Sequence, residues 1–405
     1  KHGNYRDALS IYEKLAQWEG WAKIVRANIK ICRKRLNLPL KLSIIVPVFN
    51  SDKYLEKCLQ SILNQTEVSF ELIIINDGSS DNSLNIIQQQ IKKDKRIVLI
   101  NNDSPSGNPG TPRNQGISIA KGKYIGFVDS DDWIDPNYYT ELIKAIEYDK
   151  SDIAITIGYI NHFENEENNA IQYKWQPTQC EDELYRYHES CMAWDKIYRT
   201  DFLKTNMIRF GETKAAVDVP FVLMAHYYMR KIGIAKTIGY HYRRENNSSV
   251  TLRLRKSSNC EFEIQAYKNI AQWCDTAKVD IQYKNIINYK KIRSYIYTLS
   301  IISDKEFHNF YEKIRQELQS ISRNIILDIS KKLNQPIVYQ KFQTILECNS
   351  DVYFKKYRSV DEKKIKALTK PLETTNLLPS FTIEGTKSGI LFFPDWSKTN
   401  PYQKL

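Results

Sequence analysis

From Leu42 onward the apolar residues leave helical spacing and gather into short unbroken runs, and these runs alternate with helical segments. Residues 42–48 read Leu-Ser-Ile-Ile-Val-Pro-Val, a strand apolar on both faces. A helix is expected at 53–64, a second strand at 71–75, a helix at 83–91, a third strand at 96–100, a helix at 112–120 and a fourth strand at 124–128. This is the pattern of a parallel, doubly wound α/β sheet, because strands covered by helices on both faces need no polar alternation. Ligands of such sheets sit beyond the carboxyl ends of the strands. The chemistry is therefore sought in the polar residues that follow each run.

Three strand ends are rich in them. The first is Pro47-Val-Phe-Asn50 with Asp52 close behind, the second Asn76-Asp-Gly-Ser-Ser-Asp-Asn-Ser83, the fourth Asp129-Ser-Asp-Asp132. Parallel neighbours end at one rim, which brings Asp77 and the 129–132 cluster into one crevice. Carboxylates so close repel unless solvated or bound to a cation. Hard oxygen donors in a D-x-D spacing suit Mg²⁺ or Mn²⁺, whose shells are completed by water and phosphate oxygens, so a diphosphate ligand follows. The same turn also reads as a capping cluster for a helix beginning near Pro136, and residues 77–83 as an ordinary strand-to-helix loop. Neither G-x-x-x-x-G-K-[ST] nor G-x-G-x-x-G occurs, which disfavours triphosphate hydrolysis and dinucleotide redox chemistry.

Charge narrows the partner to an anion: 59 Lys and Arg oppose 47 Asp and Glu, a net charge of +12. Nucleic acid, a nucleotide pyrophosphate, an anionic polysaccharide and an acidic membrane face all meet that description. Seven scattered cysteines without a C-x-x-C pair argue against a disulfide framework and structural zinc, and read as reduced thiols. No apolar run approaches the length of a membrane span and no signal-peptide core opens the chain. A soluble, cytoplasmic protein is expected. The start at Lys1 reads as a cut, so that an anchor or targeting segment could precede it.

Taken in order, Ser43-Ile-Ile-Val-Pro-Val-Phe-Asn50, Ile75-Asn-Asp-Gly-Ser-Ser-Asp-Asn-Ser83, Thr111-Pro-Arg-Asn-Gln-Gly116 with Ala120-Lys-Gly122, and Phe127-Val-Asp-Ser-Asp-Asp132 resemble the family 2 glycosyltransferases, inverting nucleotide-sugar enzymes of the GT-A fold. Trp194-Asp-Lys196, Val217-Asp-Val-Pro-Phe221 and Tyr240-His-Tyr-Arg243 look like the family's acceptor-side elements, so the resemblance spans residues 41–255. It implies metal-dependent transfer of a sugar from a nucleoside diphosphate donor, UDP-linked, to a saccharide or lipid-linked saccharide acceptor in capsule or surface polysaccharide synthesis. It also implies Mn²⁺ or Mg²⁺ as cofactor, no nucleic-acid partner, and a cytoplasmic protein that can lie peripherally on the inner membrane. The rival reading from charge is a non-catalytic basic module on an anionic polymer. A nucleotidyltransferase would want a Gly-rich loop after the first strand, and Phe49-Asn-Ser-Asp52 is not one.

Carried onto this chain, the resemblance assigns Pro47, Phe49, Asn50, Asp52, Asp77, Arg113, Asp129 and Ser130 to the nucleotide sugar. Asp77 would accept from the base edge, Phe49 would touch it, and Arg113 would contact Asp77 or the nucleotide. Asp129 would meet the ribose or the metal, and Asp131 would be the main protein ligand of the metal. An inverting transfer needs one general base, and the resemblance implies Asp218. Val217 stands where the family usually has Glu, and Asp218 also reads as a cap for a helix starting at Pro220. Trp194, Lys196, His241 and Arg243 are candidates for acceptor or phosphate contacts, His241 also for the metal; for Trp194 a core position, and for the others a structural or surface one, is the competing reading.

Outside that stretch, 1–40 reads as a helical hairpin appendage and 256–372 as a helical domain with amphipathic segments at 261–274, 285–302 and 305–333. Further strands are expected at 152–160 and 234–242. Residues 373–405 form an extension whose apolar run at 389–394 is an added strand or the start of a further domain.

Overall fold

The computed structural model describes residues 2–15, 40–66, 68–163, 170–173, 191–244 and 260–358, with positions 25, 28, 31 and 32. By contacts the chain divides into Lys1–Asp361 and Glu362–Leu405. The second unit, with the expected strand at 389–394, lies outside the described residues.

The alternation forms the expected sheet. Strand β1 (Leu42–Val48) lies between β2 (Phe70–Asp77) and β4 (Tyr124–Phe127), parallel to both, and β3 (Ile97–Asn102) extends the sheet beyond β2. Ile44, Ile45 and Val46 are fully buried, as are Leu72 to Ile75, which accounts for the absence of polar alternation. The crossovers are α2 (Asp52–Leu63), α3 (Ser83–Lys93) and α4 (Gly110–Ile119). In α2 the buried Leu55, Cys58, Leu59 and Ile62 recur at helical spacing and form the face laid on the sheet.

The other half of the sheet departs from simple alternation. After β5 (Trp133–Ile134) and α5 (Tyr138–Tyr148) come β6 (Ile153–Thr156), β7 (Gly158–His162), β8 (Ala170–Tyr173), β9 (Lys196–Arg199), α6 (Thr200–Thr205), α7 (Asp218–Tyr228), β10 (Ile232–Ala235) and β11 (Tyr240–Arg243). The main sheet runs β10-β6-β9-β4-β1-β2-β3, with β9 antiparallel to both neighbours, and β5-β11-β7-β8 form a second sheet. Two expected strands are thus each two strands in different sheets. The run 152–160 breaks at Ile157, and 234–242 breaks where Gly239 passes Asp135 so closely that a Cβ there would lie 2.9 Å from the Asp135 Cβ. Apolar runs cannot reveal such switches, because both halves carry apolar or aromatic residues.

The C-terminal part is helical as expected: α8 (Cys260–Thr276), α9 (Ile281–Ile301), α10 (Asp304–Leu318), α11 (Arg323–Lys332), α12 (Pro336–Glu347), α13 (Ser350–Tyr353) and a π-helical turn at Phe354–Arg358. The segment 305–333 is two helices, interrupted around Gln319 to Ser322, where polar residues break the apolar stripe. These helices have their own core, to which α7 contributes Leu223, while Phe221 and Val222 of the same helix belong to the core of the sheet. The Tyr283 hydroxyl donates to the Leu223 carbonyl at 2.6 Å. Leu223→Ala should therefore cost about 2–5 kcal/mol, read as a lowered urea midpoint. At the N-terminus α1 (His2–Leu15) packs Leu9 with Val25 and Cys32 in a third, small core; apart from positions 25, 28, 31 and 32, residues 16–39 lie outside the described residues.

Among the described residues, Cys32, Cys58, Cys191, Cys274 and Cys348 are free thiols. Among the described residues no helix is long and apolar enough to cross a membrane.

Candidate active site

The carboxyl ends of β1, β2 and β4 meet at one rim, and the loops there are laced together. Asn50, held at φ 47°, accepts Ser80 N on its Oδ1 at 2.8 Å, and its own N–H donates to Ser79 Oγ at 3.1 Å. Asp52 N donates to Asp81 Oδ2 at 3.0 Å, and Ser51 and Ser130 share a hydroxyl bond of 2.7 Å. Asn50, Asp52 and Ser130 thus hold the loops of β1, β2 and β4 in register. Phe49 remains 48% exposed, a large apolar ring on the rim, and Pro47 is half-buried.

Asp77, the last residue of β2, is 4% exposed. Its Oδ1 accepts Asn102 Nδ2 at 2.9 Å, and its Oδ2 accepts the Ser106 amide at 3.0 Å and hydroxyl at 2.7 Å. A carboxylate has about four lone-pair sites, so three protein donors fix its direction and leave room for one more. Gly78 follows at φ 65°, and a Cβ there would lie 2.5 Å from Pro105 N. Gly78→Val, which adds both strain and a clash with backbone, should cost at least 2 kcal/mol or so, measurable as a drop in melting temperature.

The acidic turn after β4 separates into three roles. Asp129 binds Arg113, with Nη2 to Oδ1 at 2.6 Å. Asp132 is 1% exposed, accepts the Tyr240 hydroxyl and the Arg243 amide, each at 2.8 Å, and so ties β11 to the turn. Burial first, then Asp131 and Asp129, push its pKa well above the usual carboxylate range. Asp131 is half-buried, and its carbonyl accepts Arg243 Nε at 3.0 Å. The cap reading of this turn does not describe these bonds: α5 begins at Tyr138 with Asn137 in the cap position.

Arg113 is 5% exposed and stands between two carboxylates, with Nη1 3.6 Å from Asp218 Oδ1. Of the two expected partners, Asp77 and nucleotide, the first is replaced by Asp129 and Asp218. Its Nη1 also donates to the Pro109 carbonyl at 3.2 Å, and its guanidinium lies 5.3 Å from the Phe210 ring centre. Arg113 therefore joins the acidic turn of β4 to the start of α7, a link between residues far apart in sequence.

Asp218 is the first residue of α7, with Val217 in the cap position and no side-chain cap bond. Its Oδ2 accepts the Ala193 amide at 3.1 Å and its side chain is 22% exposed. Burial raises its pKa above the ordinary carboxylate value, against the lowering effect of Arg113. Were Asp218 the general base that the resemblance implies, it would have to be ionised to act, and activity would be lost as pH falls through this raised pKa. Removing the cation in Arg113→Gln should move the acid limb of the kcat/KM profile to higher pH. A limb in the same place would mean that Arg113 does not tune Asp218. Val217, 3% exposed, belongs to the core.

Two acceptor-side candidates are sealed. Lys196 is fully buried, with Nζ 2.7 Å from Asp195 Oδ1 and 2.9 Å from the Met192 carbonyl, so burial of an ion pair, not phosphate, accounts for its place. Trp194 is 4% exposed and stacks on Tyr240 at 4.0 Å between ring centres, inside the core. His241 stacks on Trp133 and bonds Asp135 and His162 through its two ring nitrogens at 2.9 and 2.8 Å. A metal at His241 would have to displace one of them. Burial, then His241, Lys57 and Arg243, push His162 down to about 4, so that it is neutral near pH 7. Arg243 is half-buried, with its guanidinium 4.3 Å from the Tyr54 ring centre.

Asn102, Ser106, Tyr240 and the Ala193 amide are parts of the site that sequence reasoning missed. Ser106 and Ala193 lie in loops without a motif; Tyr240 sits in a quoted segment, but its tie to Asp132 depends on the pairing of β11 with β5.

Comparison with known proteins fixes the class. Residues 43–210 match the model of Glycosyl transferase family 2. EpsH of Bacillus subtilis, which bears a glycosyltransferase name, is 31% identical over 283 residues, covering 67% of this chain and 80% of EpsH. The chain belongs to the family 2 glycosyltransferases, and the non-catalytic alternative falls with that assignment. TarS of Staphylococcus aureus, a poly(ribitol-phosphate) β-N-acetylglucosaminyltransferase, is 31% identical over 208 residues, half of this chain and 35% of TarS. The solved structure of S. aureus TarS 1-349 in complex with UDP-GlcNAc has the same fold: TM-score 0.59, 21% identity, covering 87% of this chain and 99% of that one.

Proposed function

We propose that this glycosyltransferase moves a sugar from a UDP-linked donor to a saccharide acceptor of a bacterial surface polymer, with inversion and with the help of a divalent cation. The observation that carries the reading is Asp218, raised in pKa by burial and held by Arg113 beside Asp129 at the rim where Asp77 and Asp131 also lie. The UDP choice is supported by TarS, whose structure holds UDP-GlcNAc, and the polymer acceptor by the poly(ribitol-phosphate) named for that relative.

Asp77 and Phe49 bind the nucleotide base, one by a hydrogen bond and the other by apolar contact. Asp131, with Asp129, would hold Mg²⁺ or Mn²⁺. Neighbouring carboxylates in a D-x-D turn fit such an ion, because these cations take one or two carboxylates and fill the rest with water and diphosphate oxygens. When bound, the cation supplies charge neutralisation to the leaving diphosphate. Asp218 accepts the proton of the acceptor hydroxyl as its oxygen attacks the anomeric carbon. The bond to the diphosphate oxygen breaks in the same displacement, and its electron pair leaves with UDP.

A panel of nucleotide sugars, assayed for diphosphate release with and without Mn²⁺, tests this. Turnover of a UDP-sugar only with the metal is expected; turnover of none, or equal turnover after chelation, contradicts it.

A further inference from the structure

At the rim opposite the candidate active site, where β4 begins and β9 ends, lies a cleft of about 680 Å³. Four cationic side chains line it, Lys123, Lys150, Arg199 and Lys204, against two carboxylates, Glu147 and Asp201. Arg199 pairs with Asp201 and Asp152, and Lys204 donates to the Ala120 carbonyl at 2.9 Å. Lys123 shares Glu147 with Lys41, at 3.6 and 3.1 Å, and is 60% exposed. Lys150 has no ion-pair partner among the described residues.

Lys150 follows α5 at φ 48°, a left-handed position where helix ends favour Gly or Asn. Ser151, next in the chain, also lines the cleft, but its hydroxyl is sealed on the side of Gly233, where a Cβ would lie 2.9 Å from it, and is not open to a ligand. Tyr124 and Ile146, both largely buried, add apolar surface to the lining. A volume within the range of small-molecule sites, excess positive charge and an apolar floor fit a ligand with one anionic group and a compact body.

We propose that this cleft is a second ligand site, separate from the catalytic rim, for a phosphorylated saccharide. Lys123 and Lys150 meet the phosphate and the interior of the cleft takes the sugar. The proposal rests on the polymer-acceptor reading only for its biological source: a phosphate-bearing acceptor chain held here would be kept near the enzyme between transfers.

The test is calorimetric titration of the full chain with glucose 1-phosphate, glucose and inorganic phosphate, for the native sequence and for Lys123→Gln/Lys150→Gln, whose side chains are not part of the catalytic rim. Glucose 1-phosphate should bind the native chain and lose about tenfold or more in the double variant, with UDP affinity and melting temperature unchanged. Glucose and inorganic phosphate should each bind more weakly than glucose 1-phosphate. Equal binding of glucose 1-phosphate by both chains, no binding by the native chain, or glucose or phosphate binding as tightly, would overturn the proposal. Failure of UDP to bind the native chain would speak against the donor reading and leave this result standing.

Discussion

Asp218→Asn is expected to bind UDP as the native enzyme does and to transfer sugar roughly 10²- to 10⁴-fold more slowly, the range associated with loss of a general base. The substitution preserves size and an oxygen that can still accept the Ala193 amide now 3.1 Å from Asp218, but removes basicity and the charge that faces Arg113. Helix capping does not provide a rival explanation for a loss. Helix α7 starts at Asp218 itself and its carboxylate makes no cap bond, and Asn is in any case about as good a cap as Asp. Parallel measurement of turnover and UDP affinity decides the matter, and a mutant with near-native transfer would place the base elsewhere.

The second large effect is expected at Asp131→Ala: transfer lost, and the increment in UDP affinity that Mn²⁺ confers lost with it. Of the three carboxylates in the turn, Asp129 is engaged by Arg113 and Asp132 is sealed against Tyr240 and the Arg243 amide. Asp131 is the half-buried third, whose removal leaves those bonds in place. Titrations of UDP with and without Mn²⁺ should coincide in the mutant and differ in the native chain. Metal-dependent affinity retained in Asp131→Ala would remove that residue from the cation site.

The rim was legible from sequence because it follows directly from β1, β2 and β4, whose apolar runs are read without knowledge of contacts. Asp77, Asp129 and Asp131 each stand at a run's end, and parallel pairing brings them to one side. The far half was less legible. Strand β9 enters antiparallel between β4 and β6, carrying Lys196 inward to Asp195, and nothing in the local pattern distinguishes a lysine buried in an ion pair from one at the surface. Arg113 shows the same limit: its place at a helix start was readable, whereas its partners, Asp129 and Asp218, depend on how α4, β4 and α7 converge. The split of 152–160 and 234–242 between two sheets was hidden for a related reason, since apolar and aromatic residues stand on both sides of each break.

Calorimetric titration with UDP of the native chain and of Asp77→Asn decides whether the rim beside Asp77 holds the donor nucleotide. The change exchanges one acceptor oxygen for a donor of similar size in a carboxylate oriented by Asn102 and Ser106; the loss of a hydrogen bond to a charged group is worth about 1.5–3 kcal/mol. Native protein should bind UDP and the folded mutant about 10- to 100-fold more weakly, its folding verified by its melting curve. A folded Asp77→Asn protein that binds UDP as tightly as the native chain would contradict the account.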